Sequence, residues 1–246
     1  MSNSCVITNE EGWYKKALDT DLARPKFAIM NPEITYTLPD YQTQCGCADI
    51  MMHTMERYFV LEDTMEITDK IAQDVMKNVM KYAKILKKDP ENYEARAEIM
   101  WCGSLSHNGL TGCGTCGGDW ATHLIEHELG GMFDVAHGAG LAAVWGSWAR
   151  YVMDEKPERF AQFAVNVMGV KESEDVKSTA LKGIEAVEDF YRMIEMPTNL
   201  KELGIDPTDE QIKDMAMKAT NHDTQQLGAF KKLSAKDLVE IYKAAK

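Results

Sequence analysis

Helical periodicity runs from residue 39 to the end of the chain and restricts the fold more than any other feature of the sequence. Apolar residues recur there at spacings of three and four, the pattern of helices that bury one face. This pattern predicts helices near residues 39–59, 64–86, 91–109, 119–131, 138–153, 156–168, 172–194, 199–203, 208–219 and 234–245. We therefore expect a mainly α protein.

Two short strands are predicted before the helices. Residues 5–8 and 26–30 carry the β-branched and aromatic side chains typical of strands, and Asn31-Pro32 closes the second run. The polar segment of residues 10–22 between them is expected to be a loop or a short helix. Because two short strands do not form a stable sheet alone, we expect either a small ribbon packed on the helices or the edge of a sheet whose other strands are missing.

Charge and composition exclude several classes of function. The formal net charge is −12, and such an acidic protein is not suited to bind nucleic acid or an anionic membrane. No apolar run reaches transmembrane length, and the first residues do not resemble a signal peptide. Six cysteines in 246 residues do not indicate a disulfide scaffold. We expect a cytoplasmic protein with neither nucleic acid nor membrane as a partner.

The histidines are arranged as in a metal site. Asp49 and His53 are four residues apart, so both side chains leave one face of a helix, although such a pair alone is more often an ordinary polar pair. His123, His127 and His137 lie within fifteen residues. Imidazoles together with one carboxylate suit a divalent metal with an open coordination position. Metal chemistry is therefore the leading hypothesis for function.

A competing motif overlaps these histidines. Residues 123–127, HLIEH, match the H-x-x-E-H pattern of one class of zinc protease. In that interpretation His123 and His127 bind zinc, and Glu126 activates water. It gives no role to the other candidate ligands, which makes it the weaker alternative.

A C-x-x-C pair, Cys113 and Cys116, lies in a glycine-rich segment. A structural zinc site needs a second pair, and a phosphate-binding loop needs a preceding strand and a lysine. The sequence provides neither. We interpret the segment as a glycine-rich connection before the helix that starts near Asp119.

Taken together, these motifs resemble those of the iron-containing alcohol dehydrogenases. The residues that carry the resemblance are Asp49-x3-His53, Asn108-Gly109, His123…His127…His137-Gly138-x2-Leu141-Ala142, Pro25-Lys26-Phe27-Ala28-Ile29, Tyr36-Thr37-Leu38-Pro39 and Leu227-Gly228. The branch they are most similar to contains the butanol dehydrogenases and the NAD(P)H-dependent aldehyde reductases. The resemblance covers essentially the whole chain.

The resemblance implies a reaction and a set of site residues. The metal ligands it implies are Asp49, His53, His123 and His137. The metal would be iron(II) or zinc. His127 would be a further catalytic residue near the nicotinamide and the substrate, and Leu38 would contact the cofactor, NAD(P). The implied reaction is hydride transfer between NAD(P)H and an alcohol/aldehyde pair.

The resemblance also implies a division of the chain. The family's Gly-Gly-Gly-Ser segment, which holds the cofactor pyrophosphate, does not occur in these 246 residues. Residues 1–38, with both predicted strands, would be a remnant of a dinucleotide-binding α/β domain, and residues 39–246 the all-helical metal-binding, catalytic domain. We expect weak or no activity from this chain alone. The expected partners are a small alcohol or aldehyde and either a separate nucleotide-binding half or a second copy. A non-catalytic metal-binding module is the main alternative.

Overall fold

The chain is mainly helical, as predicted, in a computed structural model that describes residues 3–63 and 65–246. The described part contains nine α-helices, which are α1 (Asp40–Tyr58), α2 (Glu66–Leu86), α3 (Tyr93–His107), α4 (Ala121–Phe133), α5 (His137–Val152), α6 (Pro157–Asn166), α7 (Val176–Met193), α8 (Asp209–Ala219) and α9 (Ala235–Ala244). Before them lies one antiparallel hairpin of β1 (Ser4–Asn9) and β2 (Tyr14–Asp19). None of the described helices combines the length and the apolar character required to cross a membrane.

Helix α5 is the central helix of the bundle. All of its residues from 138 to 146 are buried, and it packs against α1, α4, α7 and α9. A helix that is apolar on every side must be covered by neighbours on every side. Many of the buried residues are glycine or alanine, which allows α1 and α4 to approach it closely. This approach brings together the residues of the candidate site.

The predicted strand at residues 26–30 is wrong. The partner of β1 is formed by Tyr14–Asp19, inside the segment expected to be a loop or a short helix. Gly12 and Trp13 have φ values of 87° and 58°, and this left-handed turn reverses the chain. Residues 26–30 have no strand beside them in the described part of the chain. They remain irregular because an isolated strand is not stable.

The predicted helix at residues 199–203 is also wrong. This segment forms only turns, in which the Gly204 N–H donates to the Lys201 carbonyl at 3.1 Å. Gly204 has a φ of 89°, which ends the helical path. A segment this short gains too few hydrogen bonds to offset the cost of helix nucleation. The other nine predicted helices are confirmed.

Candidate metal centre

Asp49 and His53 lie on one face of α1, as their spacing predicts, and they face residues of α4 and α5. Asp49 Oδ1 lies 3.4 Å from His53 Nε2, 3.4 Å from His123 Nε2 and 3.7 Å from His137 Nε2. The Nε2 atoms of His53 and His123 are 3.2 Å apart. Each of the three histidines predicted as ligands thus brings its Nε2 atom within 3.7 Å of Asp49 Oδ1. Asp49, His53 and His123 form one group of potential ligand atoms, and His137 belongs to a neighbouring group with Glu126 and His127.

The spacing and chemistry of these atoms fit a metal ion. Ligands bound tetrahedrally at about 2.0–2.1 Å from an ion lie about 3.4 Å from one another. This value is close to the three distances from Asp49 Oδ1 and to the distance between His53 and His123. Asp49 Oδ1 is buried, and in the described part of the chain the three imidazoles face it at 3.4–3.7 Å. A buried carboxylate is costly unless positive charge compensates it, and a metal ion held by the same imidazoles would supply that charge. One carboxylate and three imidazoles form a donor set suited to iron(II) or zinc.

Gly138 allows α5 to approach α1. A Cβ atom at this position would overlap the carbonyl group of Cys45 in α1. His137, the residue before Gly138, is the first residue of α5. The glycine therefore lets the start of α5 come close enough to α1 for His137 to reach Asp49.

Asp119 fixes the start of α4, the helix that carries His123. Asp119 Oδ1 accepts a hydrogen bond from the Ala121 N–H at 3.0 Å. Asp119 Oδ2 accepts from the N–H groups of Ala229 and Phe230, each at 2.7 Å. Burial raises the pKa of Asp119 to about 6. One buried carboxyl group thus holds α4 against the segment that precedes α9.

Two buried glutamates lie behind the imidazoles of His123 and His137. Glu56 is 1% exposed; it pairs with Nδ1 of His123 and accepts the His123 backbone N–H at 3.2 Å. Glu126 is 0% exposed and pairs with Nδ1 of His137. A carboxylate at Nδ1 fixes the tautomer in which Nε2 is free to bind a metal. Neither glutamate was predicted from the sequence to have this role.

The charges of the site favour a cation at the point where the ligand atoms meet. Burial lowers the pKa of His123, but Glu56 and Asp49 outweigh it and raise the pKa to about 10. Burial raises the pKa of Asp49, but contact with His123 and the other two imidazoles holds it well below the usual range. The site therefore keeps an ionised carboxylate and stabilises positive charge beside it, as a metal ion requires.

His127 lies apart from the four candidate ligands. Its ring centre is 6.4 Å from that of His123 and 5.6 Å from that of His137. Its ring nitrogens bond no other residue in the described part of the chain, and it lines the cavity described below. Burial, followed by the nearby charges of His137 and Lys15, lowers the pKa of His127 to about 3. The imidazole is therefore neutral at pH 7.

A cavity of about 580 Å³ opens beside the candidate ligands. Its wall includes Val6 and Ala17 of the hairpin, Arg57 of α1, and Trp120 and Leu124. The guanidinium carbon of Arg57 lies 4.5 Å from the centre of the Trp120 ring, which holds both side chains in place. The volume suits a small organic ligand.

Leu38 lies at the turn before α1, outside this cavity wall. Its N–H donates to the Thr35 carbonyl at 3.1 Å, and it is 43% exposed. Its contact with a cofactor stays a prediction. Cys113 and Cys116 are exposed in the connection between α3 and α4, and no group of potential metal ligands in the described part of the chain includes them.

The geometry does not favour the zinc protease alternative. The carboxylate of Glu126 is engaged with Nδ1 of His137 and with the ammonium group of Lys15, which lies 3.2 Å from Oε2. It is therefore not free to activate a water molecule held by His123 and His127. His127 groups with Glu126 and His137, whereas His123 groups with Asp49 and His53.

Comparisons with known proteins agree with the resemblance found in the sequence. The model of the Fe-containing alcohol dehydrogenase family, C-terminal part, matches residues 43–246. The chain is 34% identical over 244 residues to NADH-dependent butanol dehydrogenase A of Clostridium acetobutylicum, covering 99% of this chain and 62% of the relative. It is 32% identical over 242 residues to the NADPH-dependent aldehyde reductase YqhD of Escherichia coli, covering 98% of this chain and 61% of the relative.

A solved structure shows the same fold. The crystal structure of NADH-dependent butanol dehydrogenase A from Thermotoga maritima superposes with a TM-score of 0.92 at 34% identity, covering 100% of this chain and 62% of that one. The chain thus spans about 62% of the length of the relatives it matches. The family model covers most of the chain, and the chain therefore belongs to the Fe-containing alcohol dehydrogenase family, whose C-terminal part it matches.

Proposed function

We propose that this chain is the metal-binding half of an alcohol dehydrogenase or aldehyde reductase that transfers hydride between NAD(P)H and an alcohol/aldehyde pair. The observation that carries the proposal is that the Nε2 atoms of three histidines lie within 3.7 Å of one aspartate oxygen, and that two of these atoms are 3.2 Å apart. The names of the relatives support it, since one is an NADH-dependent butanol dehydrogenase and another an NADPH-dependent aldehyde reductase.

The ligands of the proposed metal, iron(II) or zinc, are Asp49, His53, His123 and His137. Bound there, the metal supplies Lewis acidity, which makes a carbonyl carbon a better acceptor of hydride. Glu56 accepts the Nδ1 proton of His123, so that the Nε2 lone pair of this ring stays directed at the site. The hydride itself comes from the nicotinamide, for which we keep Leu38 as a proposed contact.

His127 is the proposed contact for the substrate oxygen or the nicotinamide. Its ring nitrogens bond no other described residue, and the imidazole is neutral at pH 7 because burial lowers its pKa to about 3. A neutral imidazole donates through one nitrogen and accepts through the other. We therefore assign His127 the role of orienting a ligand in the cavity by a hydrogen bond, without carrying a charge.

The segment before α1 is the proposed contact surface for a nucleotide-binding half. Leu22, Phe27 and Ile29 are 97%, 80% and 84% exposed, and Ile7 on the hairpin is 70% exposed. Exposed apolar side chains grouped in one segment are typical of a surface that binds another domain or chain. A second copy of the chain is the alternative occupant. We propose a cytoplasmic location on the grounds of cysteine usage.

Metal analysis tests the proposal. The purified chain should hold about one equivalent of iron or zinc, and His123→Ala and His137→Ala should each lose most of it. Asp49→Ala should weaken affinity by about tenfold or more, since even outer contacts contribute that much. The matched control is Glu128→Gln, because Glu128 is buried in α4 but pairs with Lys16 rather than with a candidate ligand.

Two outcomes would count against the proposal. Full metal content in both histidine variants, measured by elemental analysis, would contradict the proposed metal site. Unchanged affinity in Asp49→Ala, together with metal loss in His123→Ala, would favour a protease-type site that uses His123 and His127.

A further inference from the structure

We infer that Glu126 is a positioning residue for the metal site. Its carboxylate is fully buried and paired with Lys15, and it holds the imidazole of His137 so that Nε2 faces Asp49. The inference rests on the metal site proposed above and adds to it a residue that is not a ligand. It also gives a role to the glutamate of the H-x-x-E-H pattern, which the proposed function otherwise leaves unused.

Glu126 approaches the ring of His137 from the side away from the other candidate ligands. Its carboxylate pairs with Nδ1 of His137, while Nε2 of the same ring lies 3.7 Å from Asp49 Oδ1. The two nitrogens lie on different edges of an imidazole, so Glu126 does not compete for the ligand position. A carboxylate behind a ligand imidazole fixes its tautomer and orientation and raises its basicity.

The backbone around Glu126 is built to hold this side chain. A Cβ atom at Gly140 of α5 would lie 2.8 Å from Glu126 Cγ and 3.0 Å from Oε1. A Cβ atom at Gly130 of α4 would lie 2.9 Å from Oε1. A side chain at either position would require the Glu126 side chain to shift. The carboxyl group thus has little freedom to turn away from His137, and its side chain is 0% exposed.

Lys15 provides the positive charge that a buried carboxylate requires. Its Nζ lies 3.2 Å from Glu126 Oε2 and 3.4 Å from Oε1. It also lies 3.4 Å from Nδ1 of His137. An ionised carboxylate without such a partner is strongly destabilising inside a protein. Because Lys15 belongs to β2, the hairpin takes part in holding a candidate metal ligand.

The adjacent residues of the same two elements provide a matched control. Lys16 of β2 lies 3.5 Å from Glu128 of α4, and the Glu128 side chain is 2% exposed. This second pair joins the same strand to the same helix, but Glu128 bonds none of the candidate ligands. A comparison of Glu126 with Glu128 therefore separates an effect on metal binding from an effect on folding.

The test measures zinc(II) affinity of the 246-residue chain by competition with a chromophoric chelator, and the visible absorption of the cobalt(II)-loaded chain. Glu126→Ala should weaken zinc binding about 10- to 100-fold and change the cobalt spectrum. Glu126→Gln, which keeps an oxygen that accepts the Nδ1 proton, should recover part of the affinity. Gly140→Ala should also weaken zinc binding, because it displaces the carboxyl group of Glu126 without removing it. Glu128→Ala should leave both measurements unchanged.

The outcomes separate this inference from the proposed function. Wild-type zinc affinity in a folded Glu126→Ala variant, with metal lost in His123→Ala, would overturn the inference and leave the metal site in place. Wild-type metal content in His123→Ala and His137→Ala would overturn both. If Glu126→Ala does not fold, the zinc affinity of Gly140→Ala is measured instead. Wild-type affinity in that variant would overturn the inference.

Discussion

The ammonium group of Lys15 lies 3.2 Å from the carboxylate of Glu126, although 111 residues separate the two in the sequence. The neighbouring pair, Lys16 and Glu128, spans the same two elements at 3.5 Å. The lysines differ in burial, since the Lys15 side chain is 15% exposed and that of Lys16 is 57% exposed. The hairpin is therefore joined to α4 by one buried ion pair and one that water screens.

Lys15→Met should destabilise the chain by about 3–5 kcal/mol, because it leaves the buried carboxylate of Glu126 without its cation. Lys16→Met should cost less, about 1 kcal/mol, since Lys16 is 57% exposed and the charge of Lys218 remains near the buried carboxylate of Glu128. Urea unfolding of the metal-free chains measures both free energies. Equal losses in the two variants would show that burial of the first pair has no energetic consequence.

Gly138→Ala should destabilise the chain by about 1–3 kcal/mol, because the added methyl group forces α5 away from α1. It should also lower zinc affinity, since His137 moves away from Asp49. The control is Gly46→Ala, also a helical glycine but one whose Cβ would meet nothing within 4 Å. Gly46→Ala should be neutral or stabilise by about 0.5–1 kcal/mol. Thermal unfolding and chelator competition measure the two effects, and similar behaviour of both variants would contradict the expectation.

Asp119→Asn should change how stability depends on pH. Burial raises the pKa of Asp119 to about 6 in the folded chain, above the value of about 4 that it has when unfolded. The folded state therefore holds this proton more tightly, so that its contribution to stability is present below pH about 4 and is lost as the pH rises through about 6. The free energy of unfolding of the wild type relative to that of Asp119→Asn should fall by about 1–3 kcal/mol between pH 4 and pH 7. Urea unfolding across this range checks the sign, and a constant difference would show that the carboxyl group titrates normally.

The chain alone should reduce small aldehydes negligibly, even when loaded with metal. Contacts between a nucleotide-binding domain and the remote parts of the cofactor contribute much of the energy that positions a nicotinamide. Fusion upstream of the part of the Clostridium acetobutylicum relative that this chain does not cover should produce NADH-dependent turnover of butanal that His123→Ala abolishes. Robust turnover by the unfused chain, abolished by the same substitution, would show that these 246 residues bind the cofactor without further help.

Local geometry made the candidate residues of the metal site accessible from the sequence, and the family resemblance then implied which of them are ligands. A spacing of four residues places Asp49 and His53 on one helix face, and the short distance from His123 to His137 requires a turn that brings them together. The role of Glu56 was not accessible. It lies three residues after His53 in α1, and only the packing of α4 against α1 shows that it pairs with His123.

The difference between local patterns and long-range contacts also explains why the helices were predicted and strand β2 was not. Long helices were predicted because a buried face repeats over many residues, as in α2 and α7. Strand β2 was missed because its sequence, YKKALD, lacks an apolar alternation. Its two lysines contact Glu126 and Glu128, which are more than 100 residues away along the chain. Tertiary contacts of this range leave no periodic signal in a single sequence.

The ion pair between β2 and α4 also has a mechanical consequence. Since Lys15 contacts both Glu126 and the Nδ1 edge of His137, a sideways displacement of the hairpin is transmitted directly to an imidazole that faces Asp49. We therefore expect a partner that docks on the outer face of this hairpin and shifts it to alter the geometry of the proposed metal site. The visible spectrum of a cobalt ion bound in the proposed site should then change when a partner binds the outer face of the hairpin.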